Sequence, residues 1–461
     1  MKIAICASEV FPFAKTGGLA DVTGALPLAL EDLGQQVIIF MPKYQTVSSG
    51  KWPLKKEKDG LFSTSLGKNI KVYFIEHDGY FNRPGLYGEK TGDYPDNLER
   101  FAFFNKKTLD FLKEIDFKPD IIHIHDWQAS LIPVYLKTVY SDNPFYKDIK
   151  SLLTIHNIGY QGLFSKDEFY KLGLDWSLFN INGLEFYNQI NLLKGGIIFS
   201  DAINTVSPTY SKEIQTKEFG FGLEGVLNQK KDSLYGILNG IDYSVWNPET
   251  DQFIFKNYSA QQLDKRYENK AALQKFCNLP VKDVLLIGMV SRLAEQKGWD
   301  ILGEAIDQIC EYDLQLVILG TGDLKYHILL EEIQKKYPQR CAVYLKFDEV
   351  LAHRIYASSD VFLMPSRYEP CGLGQMISLK YGAVPLVFKT GGLADTISSK
   401  NGFVFDVYKK EELINKIKEA LNLYRNKNRW ISLVKRTFTY NFSWQESAKE
   451  YIRLYQKLIC K

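Results

Sequence analysis

Apolar and polar positions fall in blocks along this chain, and the block lengths predict two successive α/β domains. An apolar run from Ile3 to Ala7 leads into a loop carrying Gly17 and Gly18. A helical stretch follows over Leu19–Leu33, stops at Gly34, and gives way to a second apolar run, Val37–Met41. Strand, loop, helix and strand at this spacing make a βαβ unit with parallel strands. Short buried strands continue at Asp120–His125 and Ser151–Ile155, each ending in polar residues. A second series begins near residue 284, with Val284–Val290, Leu314–Leu319, Val361–Met364 and Val384–Phe388. Residues 247–283 between the two series are more polar and show no strand alternation. The expected organisation is a Rossmann-like domain over 1–240, a second over 241–443, and a last helix within 444–461 that packs back on the first. Doubly wound sheets bind ligands beyond the carboxyl ends of their strands, so two such domains facing each other would make a cleft.

Composition narrows the function without naming it. A chain of 461 residues exceeds one ordinary core. With 45% hydrophobic and 24% charged residues and a net charge of +3, it gives no electrostatic case for nucleic acid or membrane as the main partner. No apolar run approaches the ~18 residues of a membrane span. The six cysteines are scattered, with no C-x-x-C pair, and read as reduced thiols of a cytoplasmic protein. The first strand begins almost at Met1, so a signal peptide is not expected.

One internal repeat stands out. Lys15-Thr-Gly-Gly-Leu-Ala-Asp21 recurs letter for letter as Lys389-Thr-Gly-Gly-Leu-Ala-Asp395. Each copy is expected between a strand and a helix, where two glycines allow close backbone approach and the helix start offers free N–H groups. A tight turn kept for geometry alone would explain Gly-Gly, but not the flanking Lys and Asp.

The remaining chemistry lies at strand ends. No Asp-x-Asp pair occurs, so a leaving diphosphate would have to be held by fixed cations instead of a carboxylate-bound metal. Arg292 and Lys297, five apart in the loop after Val284–Val290, can converge on one anion, the first as a fork and the second as a point charge. The turn Pro365-Ser-Arg-Tyr-Glu-Pro-Cys-Gly-Leu-Gly-Gln375 places Glu369 at another strand end; the bland alternative is a carboxylate that only favours a helix dipole. In the first domain His123, His125, Asp126, His156 and Asn157 end two strands. For His123 and His125, which alternate with apolar residues, a structural role is the preferred reading.

Taken in order, these motifs resemble those of bacterial glycogen synthases and plant starch synthases over essentially the whole chain. Lys-Thr-Gly-Gly-Leu, His-Asp-Trp, Thr-Ile-His-Asn, Ser-Arg-Leu with Gln-Lys-Gly, Ser-Arg-Tyr-Glu-Pro-Cys-Gly-Leu and a second Thr-Gly-Gly-Leu are all present. The resemblance implies a GT-B fold: two facing doubly wound Rossmann-like domains with the active site in the cleft, working without a metal or other cofactor. It implies glucose transfer from ADP-glucose to an α-1,4-glucan with retention, a nucleotide-sugar and a glucan being the partners. Arg292 and Lys297 would hold the diphosphate, His156 would contact the transferred glucose with Asn157 beside it, and Glu369 would orient the donor. Lys15, Gly17 and Gly18 would line the donor site, together with Cys371, Gly372, Leu373, Thr390 and Gly391. Asp21, Tyr94 and Asp126 would sit on the acceptor side. Phe347 matches a position that stacks on the nucleotide base, and Asn239 belongs to a segment beside the hinge.

One position departs from the pattern. Family members commonly carry Thr or Asn where this chain has Gly374, and a glycine there is expected to loosen the loop. Two other readings stay open: a non-catalytic glucan-binding or priming relative, and another retaining GT-B transferase using UDP-glucose. A nicotinamide dehydrogenase is disfavoured because residues 8–18 lack G-x-G-x-x-G.

Overall fold

The computed structural model describes residues 1–47, 51–89 and 92–460. They form two compact units, one of Met1–Gly240 with Trp444–Lys461 and one of Ile241–Ser443.

The first unit is built on a nine-stranded sheet. From one edge its order is Leu234–Gly236, Ala202–Thr205, Lys150–Ile155, Ile121–His125, Lys2–Cys6, Gln36–Pro42, Ile70–Ile75, Leu61–Leu66 and Lys55–Lys58. The seven strands from Leu234–Gly236 to Ile70–Ile75 pair in parallel, and the last two are antiparallel. The central strands are buried along almost their whole length, as their unbroken apolar runs require when both faces are covered. The edge strand Lys55–Lys58 carries three lysines, a charge pattern that discourages pairing with another chain. The strand order reverses direction at Lys2–Cys6, so the loops after this strand and after Ile121–His125 flank a switch point, where ligand sites of such sheets form.

The terminal helix Trp444–Ile459 belongs to this unit through a buried polar chain. Tyr455 Oη lies 2.8 Å from His123 Nδ1, and His123 Nε2 lies 2.7 Å from Thr154 Oγ1. Asn204 Nδ2 donates to both Thr154 Oγ1 (3.3 Å) and Tyr451 Oη (3.0 Å). Polar groups in a dry interior are costly unless paired, so these bonds fix the helix in one register as well as in place.

The second unit has a six-stranded, wholly parallel sheet, in the order Cys341–Tyr344, Leu314–Leu319, Leu285–Val290, Val361–Met364, Val384–Phe388 and Phe403–Phe405. Its switch point lies between Leu285–Val290 and Val361–Met364. Residues 247–283 hold no strand and one helix, Leu263–Phe276, in line with their polar composition.

Candidate active site

At the switch point of the second unit, two loops close on a pocket of about 180 Å³. It is lined by Arg292 and Lys297 from one loop, by Glu369, Gly372 and Leu373 from the other, and by Tyr356. Lys297 ends a short 3-10 turn, Glu295–Lys297, and Gly298 follows it with φ +79°. Only a glycine fits there, since a Cβ would come within 2.0 Å of Pro365 O. The loops are tied by backbone, Arg367 N donating to Gln296 O at 2.9 Å, and by Gln296 Nε2 donating to Tyr368 O at 3.0 Å. Trp299 Nε1 caps Arg292 O at 3.1 Å.

The charges in this pocket are arranged unequally. Lys297 Nζ and Glu369 Oε2 form an ion pair at 2.6 Å with side chains 14% and 8% exposed, and Ser366 Oγ donates to the same carboxylate oxygen at 3.0 Å. Arg292 is exposed and makes no ion pair among the described residues. A forked cation without a carboxylate partner beside a paired lysine is a setting for a multiply charged anion.

The second heptapeptide copy braces this loop from behind. Thr390 and Gly391 are buried; a Cβ on Gly391, whose φ is +43°, would lie 2.0 Å from Glu369 O, and Gly392 N donates to that oxygen at 3.0 Å. Cys371 is buried, and Gly372 turns the chain with φ +72°. The first copy is set differently. Gly17 and Gly18 face open space, and Lys15 pairs with Asp21 at 2.6 Å on a largely exposed surface. Lys389 pairs instead with Asp406 at 3.0 Å. Identical heptapeptides therefore serve one open loop and one packed one.

Gly374 does not behave as its loose-loop reading expected. It opens the helix Gly374–Lys380 without a positive φ, and a Cβ would meet Phe362 at 3.0 Å, Met364 Sδ at 3.2 Å and Tyr356 Oη at 3.2 Å. The position is crowded, so the glycine is there for space.

In the first unit the polar strand ends converge. Asp126 takes φ +54°, a conformation that costs of order 1–3 kcal/mol and persists only where surroundings impose it. From there its carboxylate accepts from His156 N at 2.7 Å and from Asn157 N. Asn157 Oδ1 in turn accepts from Gly159 N at 3.0 Å. His156 Nε2 lies 2.9 Å from His125 Nδ1, and His125 Nε2 is buried without a partner among the described residues. His123 and His125 are both fully buried, in keeping with a structural role, and the second of them also meets the candidate catalytic imidazole.

Three residues lie apart from these clusters. Tyr94 Oη accepts from Gly85 N and bonds Glu89, while the guanidinium groups of Arg83 and Arg100 sit 4.8 and 4.9 Å from its ring centre. Phe347 is 86% exposed and does not line the pocket. Asn239 is buried, with its Oδ1 unpaired among the described residues.

Sequence reasoning missed Glu9. Its buried carboxylate accepts from Thr16 N, Thr16 Oγ1 and Gly17 N, and from Tyr87 Oη at 2.7 Å, so it pins the loop that presents Lys15. A lone acid in an apolar loop was the only signal, and its partners lie up to 78 residues away.

Protonation in this unit has a measurable sign. Burial lowers His123 and His156 to about 3 and His125 well below 6.5, so all three are neutral at ordinary pH. Burial raises Asp126 to about 7, against the hydrogen bonds from His156 N and Asn157 N. As pH falls below 6.5 the unfolded chain protonates its imidazoles first, which favours unfolding by about 2 kcal/mol per fully buried imidazole at pH 5. Asp126 opposes this, because the folded state takes up its proton first, and between pH 7 and pH 5 it returns about 2 kcal/mol. Two fully buried imidazoles outweigh one carboxyl. The first unit is expected to melt at lower temperature at pH 5 than at pH 7 in scanning calorimetry; a melting point that holds or rises would mean the imidazoles are solvated in the fold.

Among the described residues, no group of three or more His, Cys, Asp or Glu side chains is placed to hold a metal ion, and no helix is long and apolar enough to cross a membrane.

Comparison with known proteins bears on the same residues. The starch synthase catalytic domain family matches residues 2–229, and the glycosyl transferases group 1 family matches residues 272–436. A glycogen synthase of Thermosipho melanesiensis is 47% identical, with 100% of each chain covered. One from Geotalea daltonii is 49% identical, covering 100% of this chain and 99% of its own. Among solved structures, the catalytic domain of starch synthase IV from Arabidopsis thaliana, bound to ADP and acarbose, matches with TM-score 0.90 and 34% identity, covering 100% of this chain and 99% of that one.

Proposed function

The chain belongs to the glycogen and starch synthase family of GT-B glycosyltransferases, and on that premise we propose that it transfers glucose from ADP-glucose to the non-reducing end of an α-1,4-glucan with retention of configuration. The observation that carries this reading is the pocket in which Arg292, Lys297 and Glu369 meet the Gly372–Leu373 backbone at a sheet switch point. The ADP found on the Arabidopsis relative supports a nucleoside diphosphate there, and its acarbose supports an oligosaccharide acceptor.

The chemistry follows from the charges. The bond between the glucose C1 and the β-phosphate oxygen breaks, and Arg292 and Lys297 stabilise the charge that develops on the diphosphate. Such preorganised contacts contribute on the order of 3 kcal/mol each to lowering a barrier. C1 acquires oxocarbenium character, the acceptor hydroxyl bonds to C1 from the face the diphosphate leaves, and its proton passes to a phosphate oxygen of ADP. Fixed cations do the work of a metal in this scheme. Glu369 sets the position of Lys297 by their ion pair. The exposed Phe347 ring is free to stack on the base. In the first unit, His156 serves the transferred glucose as a neutral hydrogen-bonding group, Lys15 serves the donor, and Asp21 and Asp126 serve the acceptor chain.

Transfer of labelled glucose to a maltooligosaccharide tests this, with ADP-glucose and UDP-glucose as alternative donors and EDTA present. Chain extension from ADP-glucose in EDTA is expected. Extension only after magnesium or manganese is added would sink the metal-free step, and preference for UDP-glucose would sink the donor assignment.

A further inference from the structure

Tyr356 lines the pocket of the second unit, with its ring packed by two others and its hydroxyl against Gly374, which lines the same pocket. Tyr356 lies on the helix Glu349–Ser358 and is only 5% exposed. Phe362 stacks on it with ring centres 4.6 Å apart, and Trp246 meets it edge-on at 5.5 Å. Helix and rings together fix where the oxygen sits on the pocket wall. Among the described residues, this hydroxyl has no hydrogen-bond partner. The ring is buried, but its oxygen is not among the unpaired polar atoms sealed from solvent, so on the wall of a pocket that holds two cations it is open to a partner that arrives with the ligand.

Gly374 gives a second, independent sign. A Cβ built there would stand 3.2 Å from Tyr356 Oη, closer than most such contacts, and 3.0 Å from the Phe362 ring that backs it. No positive φ asks for glycine at this position. What glycine secures is the space the phenol oxygen occupies.

The same pocket carries Arg292 and Lys297, so the group to be bound is an anion, and toward an anion a phenol acts as donor. Burial holds the Tyr356 phenol well above its ordinary range, which keeps the proton in place throughout any working pH. We propose that Tyr356 Oη donates a hydrogen bond to the diphosphate of the nucleotide-sugar, a binding contact beside those of Arg292 and Lys297, and that residue 374 is glycine to leave room for it. This rests on the reading of the pocket as the diphosphate site.

The experiment is calorimetric titration of the full chain with ADP and, separately, with adenosine. Tyr356→Phe removes one oxygen and keeps the ring packing. It is expected to weaken ADP about tenfold, the scale of a charge-assisted hydrogen bond. Adenosine should bind as to the parent, and the ligand-free melting temperature should hold, because the ring packing is kept and the hydroxyl has no bond in the described fold to lose. Lys297→Ala is titrated alongside. If it loses ADP while Tyr356→Phe binds as the parent does, the tyrosine assignment falls and the pocket reading stands. If both bind ADP as the parent does, the pocket reading falls and takes the tyrosine with it. Equal weakening of adenosine, or a melting temperature several degrees lower, would show that the ring packs and the hydroxyl does not bind. Gly374→Ala is expected to weaken ADP severalfold in the parent and less in Tyr356→Phe; equal effects in both backgrounds would overturn the steric link.

Discussion

Lys297→Ala is expected to lower kcat for glucosyl transfer by about 10²–10³-fold, the loss that follows removal of one preorganised partner of a developing charge. The same substitution has a structural cost that must be separated from the chemical one. Lys297 Nζ and Glu369 Oε2 are 2.6 Å apart with little solvent access, and among the described residues Ser366 Oγ is the only other side chain that bonds that carboxylate. Removing the lysine leaves a buried carboxylate with one hydroxyl donor, and breaking a buried pair in this way costs about 3–5 kcal/mol. The single variant should therefore melt several degrees lower and also turn over slowly. Lys297→Met combined with Glu369→Gln removes both charges and the uncompensated carboxylate with them, so melting should return most of the way to the parent value while transfer stays low. Recovery of transfer in the double variant would mean that the lysine acts only by neutralising Glu369, and the leaving-group role would be lost.

How much of this site the sequence carries depends on the distance between the groups that make it. Arg292 and Lys297 are five residues apart in one loop, and Glu369 sits in a turn marked by Pro365 and Pro370, so each was visible as a strand-end polar group. Apolar runs such as Leu285–Val290 showed their strands for the same local reason. The antiparallel extension Leu61–Leu66 and Lys55–Lys58 was not visible, since its strands are short, polar or mixed and are fixed by pairing with Ile70–Ile75. The heptapeptide repeat was plain as a string, yet its two copies differ in burial: the contacts of Gly391 come from Glu369, and the loop of Gly17 is held by Glu9. Gly374 was misread because a glycine's neighbours decide its meaning, and here they are Phe362, Met364 and Tyr356 from two other segments. Tyr356 itself sits in a run of mostly buried helix residues, where nothing local separates it from core.

His156→Ala carries the other large effect, a fall in transfer of about 10²-fold or more, and its argument turns on where protons sit. His125 and His156 share one hydrogen bond, 2.9 Å from Nδ1 to Nε2, and His125 Nε2 is buried with no partner among the described residues. A buried N–H without an acceptor is the rarer and costlier defect, which favours the proton of His125 on Nδ1, donated to His156, with only a lone pair left unpaired. His156 then carries its own proton on Nδ1, and burial keeps the ring neutral down to about pH 3. As a neutral donor with a fixed tautomer it can bond a sugar hydroxyl, but it cannot supply an acid limb near pH 6.5. The limb expected near pH 7 belongs to Asp126, raised to about 7 by burial, whose ionised form holds His156 N and Asn157 N most firmly. Transfer should therefore rise as pH increases through 7 in the parent, and Asp126→Asn should flatten that rise. Alanine at 156 also leaves the His125 N–H without its acceptor, at about 1–3 kcal/mol, so the variant should melt a few degrees lower and must be assayed well below that temperature. Turnover within tenfold of the parent under those conditions would return His156 to a structural role, and a limb near pH 6.5 that Asp126→Asn leaves in place would show that the imidazole titrates after all.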